Sequence, residues 1–288
     1  MELIFFIAEH LFASIKVSLI QLLILLGPGL FLAYLMDLIA GYIEIKAYRL
    51  MGRNLYLGLF DWLGTIVHEL GHAMMCVIFG HSINEIVLFN PDPDSRTLGY
   101  VNHNWNKDSG YQSIGNFFIG IGPIIFGTVV LYFSAYFLLS ESFFDPFLKV
   151  NLSHQTFQSL NSLLDLPVNI SKAFGSFIKD AFTLNNLKRW EFYVFFYILF
   201  CVGSSIKLSK SDIQGALKGL SAIVSILIII NSVAKPLSGE FVSNKFIISI
   251  VKHYSVFFTL MTFVLFLNLS FLIILFILER IFKSRPMY

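Results

Sequence analysis

Charge is scarce in this sequence. Only 13% of its 288 residues are Asp, Glu, Lys or Arg, where an ordinary soluble domain carries about a quarter, and that shortage excludes a water-soluble globular fold. The net charge is +2, too small to argue for nucleic acid or a strongly acidic partner. Cysteine is nearly absent. Cys76 and Cys201 both fall inside apolar runs, so a cysteine-based metal centre is excluded and buried, inert thiols are expected. The start lacks positive charge: Met1, Glu2 and Leu3 are followed by no small-residue cleavage pattern, so the first helix is expected to be retained rather than removed as a signal. Paired inverted repeats of broken helices are also missing, which argues against a transporter.

What is present is apolar. Hydrophobic residues make up 56% of the chain, with 32 phenylalanines, and runs of about 20 apolar residues recur along its length. The expectation is an all-α polytopic protein of the lipid bilayer, a single membrane domain over 1–288 with about six transmembrane helices. Residues 1–16 read as an interfacial segment or an extension of the first span. Residues 17–40 form that span, kinked at Gly27-Pro28-Gly29, with Asp37 reaching the headgroups; residues 44–54 read as an amphipathic connector. Further spans are expected at 55–80, 114–139, 190–206, 212–234 and 254–278. Ser211 is the expected cap of the fifth. Residues 81–106 alternate on both sides of Asn90-Pro91-Asp92-Pro93-Asp94, a β-hairpin pattern with a long turn. The mixed stretch 140–189 reads as an extramembrane excursion with short amphipathic helices around 157–164 and 170–182. A slight bias of Lys and Arg leans toward a cytoplasmic C-terminus, in the cell membrane.

Ionisable residues at membrane depth cost several kcal/mol unless paired or bound, so those in the second span carry information. Gly64 to Met74 reads GTIVHELGHAM. His68 and His72, four apart on a helix, share a face and can offer two imidazole nitrogens to one metal ion. Glu69 then sits beside the ion, placed to take a proton from water. A catalytic zinc site wants a third protein ligand; the candidates are Asp212, His103, Glu141 and Glu191, with Asp212 favoured because it opens a membrane helix after a polar break. Asp61, two turns before His68, reads as a carboxylate near the membrane surface. Asn116 is the polar anchor of the glycine-rich third span, whose small residues predict close packing on the motif helix.

The motif, the hairpin-like segment after it, the Gly-Pro pair at Gly122-Pro123 and the late Asp212 together resemble the site-2 protease family of intramembrane zinc metalloproteases, peptidase family M50. The resemblance spans about residues 55–233. It implies a zinc ion held by His68, His72 and Asp212, with Glu69 as the catalytic base and a membrane protein or membrane peptide as the substrate. Two positions depart from the family pattern: Ser211-Asp212-Ile213-Gln214-Gly215 stands where Leu-Asp-Gly is usual, and Phe126-Gly127 occupies the place of an asparagine, leaving Asn116 as a candidate for substrate positioning. The alternatives are a membrane zinc protease of the prenyl-protein-processing type, with Glu141 or Glu191 as third ligand, and a non-catalytic protease-like scaffold.

Overall fold

A computed structural model describes residues 2–95, 97–139, 182–238 and 244–283, with a few positions between 172 and 179. Most of the excursion at 140–189, the expected helix around 157–164, most of the one around 170–182 and the candidate ligand Glu141 lie outside the described residues.

The chain opens with one helix, α1 (Glu2–Met51). The interfacial segment, the span and the connector read separately from the sequence are therefore continuous. A proline inside a membrane helix is tolerated because neighbouring groups re-satisfy the freed carbonyl, and helix runs unbroken through Gly27-Pro28-Gly29. Gly52, at φ 82, ends it, in a conformation that a side chain disfavours. A short helix α2 (Arg53–Tyr56) and a π-helical turn, Leu57–Asp61, lead into α3 (Trp62–Ile78), which carries the histidine motif.

The hairpin follows as expected. Strands β1 (Ser82–Val87) and β2 (Tyr100–Asn104) pair antiparallel, from Ser82 opposite Asn104 to Val87 opposite Tyr100, with an irregularity between Ile83 and Glu85. Its turn is held by its own side chains: Asp92 N–H donates to Asn90 Oδ1 at 3.1 Å and Asp94 N–H to Asp92 Oδ1 at 3.0 Å. The Arg53 guanidinium donates to the Pro91 carbonyl at 2.8 Å, and Phe89 and Leu98 pack on a cluster formed by Ile39, Ile43, Tyr56, Leu57 and Leu275. The turn end of the hairpin is thereby fixed to α1, α2 and the helix that holds Leu275.

Next come α4 (Gly110–Gly120) and α5 (Gly122–Leu138), bent by 58° where the sequence reading drew one continuous span. Pro123 starts the second of the pair; with no N–H to donate, it suits a helix start better than an interior. Among the described residues there follow α6 (Leu184–Leu187), α7 (Trp190–Ser205), α8 (Lys210–Ser238) and α9 (Asn244–Lys283). A core of Met36, Val67, Leu131, Phe195, Leu199 and Val264 joins α1, α3, α5, α7 and α9. Both cysteines are free and buried.

Among the described residues, three helices are long and apolar enough to cross a membrane, at Phe5–Leu23, Lys210–Ala234 and Val264–Phe282, and a fourth crossing results if α4 and α5 count as one broken span. This is fewer than the six read from the sequence. The 17-residue α3 continues the helical path of α2 and the π-helical turn without a gap, and α7, at 16 residues, is just under the roughly 17–25 of a crossing helix.

Candidate metal centre

His68 and His72 project from one face of α3, their ring centroids 5.0 Å apart. Each ring is turned by a backbone carbonyl. His68 Nδ1 lies 2.9 Å from the oxygen of Ser205, the last residue of α7, and His72 Nδ1 lies 2.8 Å from that of Ile119 in α4. A carbonyl only accepts, so both rings carry a proton on Nδ1, and in the neutral ring Nε2 is bare. Partners of this kind orient the imidazoles that bind metals.

Both Nε2 atoms face Asp212. The separations are 3.2 Å from His72 Nε2 to Asp212 Oδ1 and 3.7 Å from His68 Nε2 to Asp212 Oδ2. Among the described residues these three form the one group of three or more His, Cys, Asp or Glu side chains whose donor atoms gather, all within 4.8 Å of one another. Two imidazole nitrogens and a carboxylate fit the donor set of a catalytic zinc site.

Asp212 is held in place twice over. Helix α8 begins at Lys210, so the cap is Ser209 and not Ser211: Ser209 N–H donates to Asp212 Oδ2 at 2.8 Å, and Asp212 N–H donates to Ser209 Oγ at 3.2 Å. This is a capping box, with the acid three residues after the cap. Ser211 Oγ instead hydrogen-bonds Ser209 Oγ at 2.7 Å. The first turn of α8 can reach the histidines because α4 has no side chain at Gly120, where a Cβ would stand 2.6 Å from the Asp212 carbonyl oxygen.

Glu69, 7% exposed, lines a cavity of about 270 Å³ together with the three clustered residues, Asn116, His103 and the inner side of β2. The hairpin closes on it tightly, since a Cβ on Gly99 would come 2.7 Å from Glu69 Cγ. A second cavity of about 370 Å³ also reaches His68 and Glu69 and is lined by Asp37, Asp61 and Lys207. Asp61 is therefore part of the wall of this second cavity. His68 takes its orientation from the Ser205 carbonyl.

The other candidate ligands separate from the cluster. Glu191 pairs with Arg189 at 3.5 Å at the start of α7, and His103 bonds to His81. The orienting carbonyls of Ser205 and Ile119 had no signal in the sequence, because any residue type supplies a backbone oxygen. Nothing local marked Gly99 as a point of close approach, and the glycine-rich stretch that holds Gly120 predicted packing on the motif helix, where Gly120 itself meets the first turns of α8.

No curated protein and no solved structure matches the chain. Residues 39–136 match a family model described as Peptidase M50B-like, a stretch that runs from the end of α1 through the motif helix and hairpin into α5. Over that stretch, about a third of its length, the chain is similar to the site-2 protease-like M50 peptidases.

Proposed function

We propose that this protein is an intramembrane zinc metalloendopeptidase that cuts a peptide bond in a membrane-spanning substrate. The observation that carries the reading is the convergence of two bare imidazole nitrogens and the Asp212 carboxylate, from helices far apart in the chain, beside a buried glutamate.

His68 Nε2, His72 Nε2 and the Asp212 carboxylate would hold Zn2+. Bound there, zinc supplies a Lewis acid for the scissile carbonyl and lowers the pKa of water in contact with it toward about 7. The Ser205 and Ile119 carbonyls keep both rings turned so that Nε2, and not Nδ1, faces the centre. Glu69, next in sequence to a ligand and confined by Gly99, takes a proton from water and returns it to the leaving nitrogen. Asn116, on the wall of the same cavity, positions the substrate. A membrane helix must unwind to expose its carbonyls, and the edge of β2 offers backbone groups to a strand so exposed. Substrate enters sideways from the lipid, between helices, and the C-terminus lies on the cytoplasmic side of the cell membrane.

The test is metal content and cleavage together, on purified protein in proteoliposomes holding a pool of single-span peptides, with products read by mass spectrometry. Wild type is expected to hold one zinc and to cleave. Glu69→Gln is expected to keep the zinc and lose cleavage, and folded His72→Ala and Asp212→Ala to lose the zinc. Folded wild type without zinc, or Glu69→Gln cleaving at the wild-type rate, would refute the proposal.

A further inference from the structure

The hairpin brings one more histidine to the metal-site cavity and sets another behind it. His81, at the foot of β1, is buried, and His103 on β2 lines the cavity together with Glu69 and His72. His81 Nε2 lies 2.8 Å from the backbone carbonyl of Gln112, and His81 Nδ1 lies 3.1 Å from His103 Nδ1. These two distances determine where the protons are. The carbonyl only accepts, so His81 Nε2 carries a proton. In the neutral ring His81 Nδ1 is then an acceptor, and the contact between the two Nδ1 atoms requires the proton on His103. Donation runs from His103 to His81 to Gln112. His103 Nε2 is left bare, the one polar ring atom still available to the cavity.

The surroundings support this arrangement. Burial lowers the pKa of His103 below the ordinary imidazole value, with the His81 and His72 rings adding to the effect, which favours the neutral form. Gly115 makes room for the pair, since a Cβ there would stand 2.9 Å from His81 Nε2. Trp105 covers the His81 ring face to face, with the planes within 16°. His103 is not among the residues whose donor atoms gather at the metal centre.

An unwound substrate segment needs acceptors. Its backbone N–H groups lose their helical partners where little water is available to replace them. Glu69 and Asp212 are also acceptors, but both serve the chemistry. We infer that His103 is a substrate-binding residue, its Nε2 accepting a hydrogen bond from a backbone N–H of the peptide lying along β2, and that His81 is the positioning residue that fixes the tautomer. This deepens the proposed peptidase reading and rests on its cavity, while the binding step is measurable without cleavage.

The experiment uses the full chain carrying Glu69→Gln, in nanodiscs. The probe is a fluorescent single-span polyleucine peptide with a central Gly-Ser-Gly segment, compared with analogues in which one backbone N–H of that segment is replaced by an ester oxygen. One ester is expected to weaken binding by about tenfold, the scale of one hydrogen bond. His103→Phe should bind the all-amide probe about tenfold more weakly and be indifferent to that ester. His103→Gln, whose amide oxygen can stand in for Nε2, should regain the sensitivity. Ring-nitrogen NMR should find a bare Nε2 on His103, with the tautomer preference lost in His81→Phe; a tie that merely braces the hairpin would not couple to a single N–H of the probe. A flat ester scan, absence of probe binding, an ester penalty that persists in His103→Phe, or loss of zinc from folded His103→Phe would each overturn the assignment. Failure of the peptidase reading is seen separately, as missing zinc or missing cleavage in the wild type.

Discussion

Replacing Gly71 by alanine puts one methyl group where α3 and α5 touch backbone to backbone. A Cβ at Gly71 would stand 2.7 Å from the Gly122 carbonyl oxygen and 2.8 Å from Pro123 Cα. Neither is the tip of a flexible side chain, so relief requires the helices to part by about 0.7 Å, the difference between 2.7 Å and the 3.4 Å of ordinary contact. The neighbouring His72 is bonded at 2.8 Å to the Ile119 carbonyl, three residues before Gly122. If Ile119 moves with Gly122, that bond lengthens to about 3.5 Å, the outer edge of a hydrogen bond. Alanine gains about 1 kcal/mol in helix propensity, while overpacking costs about 1–3 kcal/mol, so a net destabilisation of up to about 2 kcal/mol is expected. The loss of an orienting partner on a ligand histidine should weaken zinc binding about 10–100-fold. Gly41→Ala, where the new methyl meets nothing within 4 Å, is the control and should leave stability unchanged or raise it by up to about 1 kcal/mol. Thermal unfolding in detergent and zinc competition against a chromophoric chelator measure both quantities. A Gly71→Ala protein that melts and binds zinc like the wild type would refute the close-packing argument.

Three further outcomes are expected. Gly99→Ala drives a methyl into Glu69 Cγ; zinc stoichiometry should stay at the wild-type value while cleavage falls by about 100-fold, the usual effect of displacing a reacting group by about 1 Å, and equal loss of both would contradict the assignment of Glu69 to proton transfer. Ser209→Ala removes the hydroxyl half of the capping box and should cost about 1 kcal/mol and weaken zinc binding, with Ser209→Thr restoring both in chelator titrations. Lys46 bonds Glu279, whose side chain is 10% exposed, with Arg49 at 3.8 Å as a weaker partner. Lys46→Met should therefore destabilise by about 3 kcal/mol in thermal unfolding, and the double variant Lys46→Met/Glu279→Gln should recover most of the loss.

By itself the sequence determined whatever local pattern can carry. Scarce charge and long apolar runs dictate a helical membrane protein. The four-residue spacing of His68 and His72 puts two imidazoles on one helix face with Glu69 beside them, and the alternation around Asn90 to Asp94 is enough to define the hairpin. Close packing of the Gly122-Pro123 helix on the motif helix was also legible, because adjacent small residues leave no side chain to hold two helices apart. Tertiary structure decided the rest. Whether Asp212, His103 or a glutamate faces the histidines depends on how α8 lies against α4, and Gly120 governs that contact from another part of the chain. The carbonyls of Ser205 and Ile119 orient the rings through backbone atoms that every residue type shares. The break at Ile121 and the continuity of α1 through Pro28 are features of the backbone path that hydropathy does not encode. The chain from His103 through His81 to Gln112 likewise exists only once the hairpin pairs His103 with His81 and His81 meets the first turn of α4, since a proton is assigned by the partners around a ring and not by its place in the sequence.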